Sequence, residues 1–296
     1  MKRLLIVALC LWSVEVALGG PVAEQYEVRL MRPAKAGDAY RMQAACRQSE
    51  KMKLIRDGQE VKTMNVEFSL ELEAGVKILE VDKTGDVTRF SLSVANFVKT
   101  QGEAKRTLIP KESLITGSVT DAGYGFEVNG KPVDSETHDA LLAVIQLGKG
   151  GRWSDDEIYE SKEPQKVGNS WEINAAVAAR NLAKTGVKAQ AEDITGSATL
   201  KEITEIDGTP CLKVRGEMFV KRMSAPFIPD FKVETAEMHM AYAATFPVDI
   251  NKGRLLESQE MRMILSTRGK PGASGRESIF QSAAERILTT KMAYPE

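Results

Sequence analysis

The feature that most limits how this chain can fold is a two-residue alternation held over long runs. In "MHMAYAATFPVDI", Met238, Met240, Tyr242, Ala244, Phe246, Val248 and Ile250 fall on one side. "VEFSLELE" sets Val66, Phe68, Leu70 and Leu72 against Glu67, Ser69, Glu71 and Glu73. "FSLSV" adds Phe90, Leu92 and Val94, and "CLKVRGEMFV" adds Leu212, Val214, Met218 and Val220. A helix does not keep this period; a strand with one buried face does. Between the runs lie "DKTGD" at 82–86, "IDGTP" at 206–210 and "NKG" at 251–253, where Gly supplies positive φ and Asp or Asn local hydrogen bonds. Short turns make successive strands antiparallel, and one-sided alternation fits a sheet with one wet face. The expectation is a mainly β protein.

The alternation also echoes itself. "ILEVDKTGDVTRFSLSVANFVK" at 78–99 lines up with "LKEITEIDGTPCLKVRGEMFVK" at 200–221 without a gap. The same shift brings Phe126-Glu127-Val128 onto Val248-Asp249-Ile250. "AGDAYRM" at 36–42 resembles "VGNSWEI" at 167–173, each placing an aromatic residue, Tyr40 or Trp171, first on the buried face. This predicts two pseudo-repeated, curved antiparallel sheets, half-barrel-like, spanning 20–134 and 165–296. Between them, 135–164 holds a helix and linker. "DSETHDALLAVIQLG" offers Asp134 or Ser135 as N-cap, an apolar stripe of Leu141, Val144 and Ile145, and Gly148 as stop. Its expected task is to cover a sheet face. The segment 174–186 reads equally as strand or helix, and 277–292 as a capped helix or a last long strand paired with "QEMRMILST"; the strand is preferred.

The opening "MKRLLIVALCLWSVEVALGG" has Lys2 and Arg3, an apolar run from Leu4 to Trp12, and small residues at 17 and 19. That is the pattern of a secretory signal peptide, 1–19, cleaved near Gly19 or Gly20. The run is too short for a permanent span. Cys10 raises a lipoprotein alternative, but Val7-Ala8-Leu9 lacks the small residue wanted before a lipidated cysteine. The chain is therefore expected in the periplasm or outside the cell. No transmembrane segment is expected.

Charged residues make up 27% of the chain and nearly cancel, with a net of −1. A binder of nucleic-acid backbone would need a basic surplus, so no nucleic acid is expected. Cys46 and Cys211 remain after cleavage. A disulfide is open to them in an oxidising compartment, but Cys46 is in step with the inward residues of its run and Cys211 is not. Two cysteines and two histidines at unrelated positions make no zinc spacing. No cofactor is implied.

His138 beside Asp139 could serve as a general base, yet a first-turn histidine is ordinarily solvated. His239 lies between Met238 and Met240 and points to the other face. With Met261 and Met263 on a neighbouring strand, a methionine cluster forms that reads three ways: core packing, a pliable lining for an apolar ligand, or thioether ligands for Cu(I). "GKGGRW" at 148–153 lacks the Lys-Ser/Thr ending of a phosphate loop. "SDDEIYE" at 154–160 lacks the alternation and central Gly of a calcium loop. No Gly-x-Ser-x-Gly or Ser-x-x-Lys occurs. An enzyme is not expected. Carboxylate-only hydrolysis stays open, although no pair stands out and aromatic residues are only 6%.

"VGNSWEI", "LKEITEIDGTPCLKV" and "FPVDINKGRLLE" resemble exported bacterial β-rich families of unknown function, with their "vGdsW" and late "fDi…G" patterns. More loosely, the layout resembles the lipoprotein-carrier half-barrels. That likeness implies an apolar or lipid-like ligand held against an inner face closed by helices. The candidate lining is Phe68, Leu70, Phe90, Leu92, Met238, Met240, Tyr242 and Phe246. The competing expectation is a structural module that meets an envelope protein partner.

Overall fold

The structure is a computed structural model that describes residues 24–120, 123–147, 155–184, 186–224, 231–270 and 277–294. Residues 1–19, read above as a signal peptide, and "GKGGRW" lie outside the described residues.

The mainly β, antiparallel expectation holds, and the sheet is open. From the first half come β1 (Ala39–Arg56), β2 (Gln59–Val81), β3 (Val87–Gln101), β4 (Ala104–Thr107), β5 (Leu114–Thr120), β6 (Gly123–Val128) and β7 (Lys131–Pro132). From the second come β8 (Ser170–Glu172), β9 (Ile194–Ile206), β10 (Thr209–Val220), β11 (Phe231–Pro247), β12 (Leu256–Gly269) and β13 (Ser278–Ala293). They do not form two sheets. One sheet runs β7-β6-β5-β3-β2-β1-β13-β12-β11-β10-β9-β8, with β4 paired to β3. The seam is β1 against β13, in register from Arg41↔Ala293 to Arg56↔Ser278. The last strand of the chain completes the first, so the halves share one backbone ladder. The edges are the short β7 and β8, which leave little unpaired backbone for another chain.

Three hairpins turn on the dipeptides Asp57-Gly58, Asn129-Gly130 and Asp207-Gly208, each with positive φ at both residues. That is the type I′ turn, whose twist matches that of the strands it joins. The two segments that echo each other are β2–β3 and β9–β10. The β9–β10 pair carries one single-residue bulge, at Lys201, and the β2–β3 pair carries three, at Leu79, Thr88 and Ala95.

Three helices occur among the described residues: α1 (Ser135–Val144), α2 (Asp155–Tyr159) and α3 (Ala175–Lys184). Asp134 caps α1, accepting from the Thr137 N–H, and Ile145 already has extended backbone, so the helix stops before Gly148. Within the ambiguous 174–186 segment, Ala175–Lys184 is helix, and its face of Ala178, Asn181 and Leu182 packs inward. The preferred strand at 277–292 is β13, paired with β12 as expected.

Two apolar cores form. The first packs Phe90, Leu92, Phe97 and Ile115 beneath Leu141 and Val144 of α1. The second packs Leu200, Val214, Met218 and Tyr242 beneath Tyr159 of α2 and Leu182 of α3. Val28 and Leu30, before β1, join the second core, anchored by pairing of Tyr26 with Gln165. Cys46 on β1 and Cys211 on β10 are buried and unpaired. Four strand spacings separate their strands, roughly 19 Å, which is beyond disulfide reach.

Candidate functional site

Neither core fills the middle of the inner face. Above β11–β13 lies a cavity of about 690 Å³, within the usual range for small-ligand sites. Tyr124 of β6 and Met238 of β11 both line it. Seven strand spacings separate those strands, roughly 34 Å on a flat sheet, so the sheet curls around the space.

Its wall is methionine. Met238, Met240, Met261 and Met263 form a block on adjacent strands, paired Met238↔Met263 and Met240↔Met261. Met31, Met223 and Met292 extend it, so seven of the twelve methionines face this space. Unbranched thioether chains have no single required fit, so such a wall adapts to ligand shape.

A polar group crosses the wall on β12. Arg254 pairs with Glu257, and its Nη2 donates to the Leu30 carbonyl at 2.9 Å. Gln259 donates to Glu257 at 3.0 Å and exchanges hydrogen bonds with Gln146 at 3.0 and 3.1 Å. Gln146 follows α1, so this amide pair ties the helix of the first half to a strand of the second. Arg286 of β13 adds a second tie, donating from Nη2 to the Ala143 carbonyl at 2.6 Å. At the far end Tyr40 and Tyr294 pack at 4.9 Å. Burial raises both phenol pKa values, that of Tyr294 to about 12, so both stay protonated at neutral pH.

The segment 31–35 roofs the cavity. Arg32 lies 4.8 Å over the Phe246 ring and donates to the carbonyls of Pro247 and Asp249.

The structure places all eight candidate lining residues on the inner face but in different surroundings. Met238 and Met240 line the large cavity. Phe68 and Leu70 line a separate hollow beside α1, with Gln48, Lys99 and Glu136. Phe90 and Leu92 are fully buried in the first core. Tyr242 stacks on Tyr159 at 5.1 Å, and Phe246 lies under Arg32. The sequence reading missed Arg254, Glu257, Gln259 and Arg286. For Glu257, Gln259 and Arg286 the signal was present, because charged and amide residues at inward parity break an apolar alternation; Arg254 precedes β12 and gave none.

The histidines lie away from the cavity. His138 bonds the Tyr124 carbonyl at 3.0 Å and meets Phe126 edge-on. His239 stacks on Phe219 at 4.3 Å on the outer face. Among the described residues, no three His, Cys, Asp or Glu side chains are placed to hold a metal, and no helix is long and apolar enough to cross a membrane. Asp155–Tyr159 of "SDDEIYE" form the short helix α2.

No protein-family model matches the chain, and no curated protein does. Among solved structures, lipovitellin is similar at 11% identity and TM-score 0.36, over 88% of this chain and 26% of that one. The chain thus spans about a quarter of the lipovitellin chain. OmpF of Salmonella typhi is similar at 8% identity and TM-score 0.19, over 88% of this chain and 100% of that one. An outer membrane channel of Pseudomonas putida is similar at 5% identity and TM-score 0.20, over 88% and 97%. Below a TM-score of 0.5 these likenesses carry no argument.

Proposed function

We propose that this chain is an exported, non-enzymatic carrier or sensor that holds an apolar, chain-bearing ligand in the methionine-walled cavity. The observation that carries the reading is the cavity itself. Both cores stop short of it, and both halves of the chain line it. Each methylene transferred from water into such a space contributes about 0.8 kcal/mol, so a chain binds without special polar contacts. A hydrolase finds less support. Of the cavity carboxylates, Glu257 is held by Arg254, Asp38 by the Lys35 backbone N–H and Asp86 by the Thr84 hydroxyl.

The test is titration of the purified protein with a fluorescent apolar probe, N-phenyl-1-naphthylamine, followed by displacement with long-chain amphiphiles. The expected result is saturable one-to-one binding, weakened when Met261→Trp narrows the space at the methionine block. Absence of saturable binding to the wild type would overturn the carrier reading. It would leave the envelope-interaction reading, which draws on the exposed outer-face residues Phe219 and Ile264.

A further inference from the structure

Four cations line the cavity; Lys35 is exposed to water, and the three arginines are not equally answered. Arg254 has Glu257 and a backbone carbonyl, and Arg32 has two carbonyls and an aromatic ring. Arg286 stands in mid-strand on the inner face, between Gln48 of β1 and Met261 of β12. Its Nη2 donates to the last turn of α1, at Ala143, where helix carbonyls lack intrahelical partners and favour a cation. That accounts for one nitrogen of five-donor guanidinium. Nε is buried and has no hydrogen-bond partner among the described residues. Nor does any carboxylate among them pair with Arg286. Glu50, one inner-face row along on β1, instead accepts from the Ser282 hydroxyl at 2.7 Å. A partly buried cation beside thioethers is costly unless an anion meets it.

We propose that the ligand is an amphiphile with an anionic headgroup, received by Arg286 while its chain lies along the methionine block. The proposal rests on the carrier reading and names the class of its ligand. A guanidinium presents a planar fork that suits the oxygens of a carboxylate or a phosphate, and Met261 is the next inward residue across the strand pair. Head and chain sites are therefore contiguous.

The experiment measures displacement of the same probe by four ligands of one chain length at neutral pH: dodecanoate, dodecyl phosphate, methyl dodecanoate and dodecyltrimethylammonium. In the wild type at least one anion should bind about ten- to a hundredfold tighter than the ester, as expected for a charge-assisted hydrogen bond. The stronger anion tells carboxylate from phosphate. Arg286→Met should bring the anions down to the ester while leaving the ester nearly unchanged, and Arg286→Lys should restore part of the preference. If the ester and both anions bind alike to the wild type, the headgroup proposal falls and the carrier reading stands. If none displaces the probe, the carrier reading itself falls. An anion preference that survives Arg286→Met places the anion elsewhere and overturns the role of Arg286. Should Arg286→Met fail to fold for want of its tie to α1, the wild-type ratios and the lysine variant decide.

Discussion

The flanks of the sheet and its seam use the same strand pattern to opposite ends. On the first flank Phe90 closes over Gly117, where any Cβ would fall inside the ring. On the second, Tyr159 closes over Gly216 in the same way, its Cδ1 2.5 Å from where a Cβ would stand. Each flank pairs a rigid ring with a glycine and a helix above. The seam region, β13 with the neighbouring β12 and β11, instead turns methionines of β11 and β12 toward a cavity. Packed interiors leave few voids larger than a water molecule, so a cavity of about 690 Å³ between two tight cores is a property of the seam, not of loose packing throughout.

The sharpest way to break this contrast is to remove one side chain from each region. Phe90→Ala should cost about 3–5 kcal/mol, the loss of a buried ring plus the void it leaves. Met261→Ala should cost about 1–2 kcal/mol, because it borders a space that exists already and adds mainly the transfer loss. Urea unfolding measures both. Equal costs would mean that the seam is packed like a flank.

Gly216→Val tests the flank from the other direction. The added carbons meet Tyr159, which is itself stacked on Tyr242, so the ring cannot yield cheaply. A loss of about 1–3 kcal/mol is expected, with ligand affinity at the seam unchanged. A variant as stable as the wild type would show that the rings over the glycines are not what fills the flanks.

The contrast also marks where sequence stops being informative. Parity assigned Phe90, Leu92, Tyr242, Phe246, Met238 and Met240 to the inner face, and all six are there. Parity holds no record of what lies above that face. Whether a residue meets a helix or a cavity depends on where α1, α2 and α3 settle, and "AAVAARNLAK" is too rich in alanine to declare its own period. The joining of the halves through β1 and β13 was equally hidden. It pairs residues more than 200 positions apart, from Arg41 with Ala293 to Arg56 with Ser278, and no turn signal links them. What was legible is local: the cap at Asp134, the hairpin dipeptides and the alternating runs. Arg286 falls between these cases. Its place in step with Phe280 and Leu288 was readable, but its hydrogen bond to the last turn of α1 and its buried Nε become visible only with α1 in place.

The smallest expected effect concerns that helix, which covers one flank and supplies the carbonyl that holds Arg286. The Asp134 carboxylate accepts from the Thr137 N–H at 2.8 Å and from the Thr137 hydroxyl at 3.1 Å. These bonds, the backbone one foremost, hold its carboxyl pKa below the ordinary aspartate value. A lowered folded-state pKa means that the stabilisation is fully present above the unfolded value, about 3.9, and is lost as pH falls through the folded one. Asp134→Asn keeps an oxygen for the Thr137 N–H but cannot titrate. Near neutral pH the variant should unfold at almost the wild-type urea midpoint. Below about pH 4 its midpoint should fall less steeply than that of the wild type. Parallel acid limbs would mean that α1 opens independently of global unfolding. The first flank would then be held by its sheet and rings alone, and the tie from Arg286 to Ala143 would join the seam to a helix free to lift.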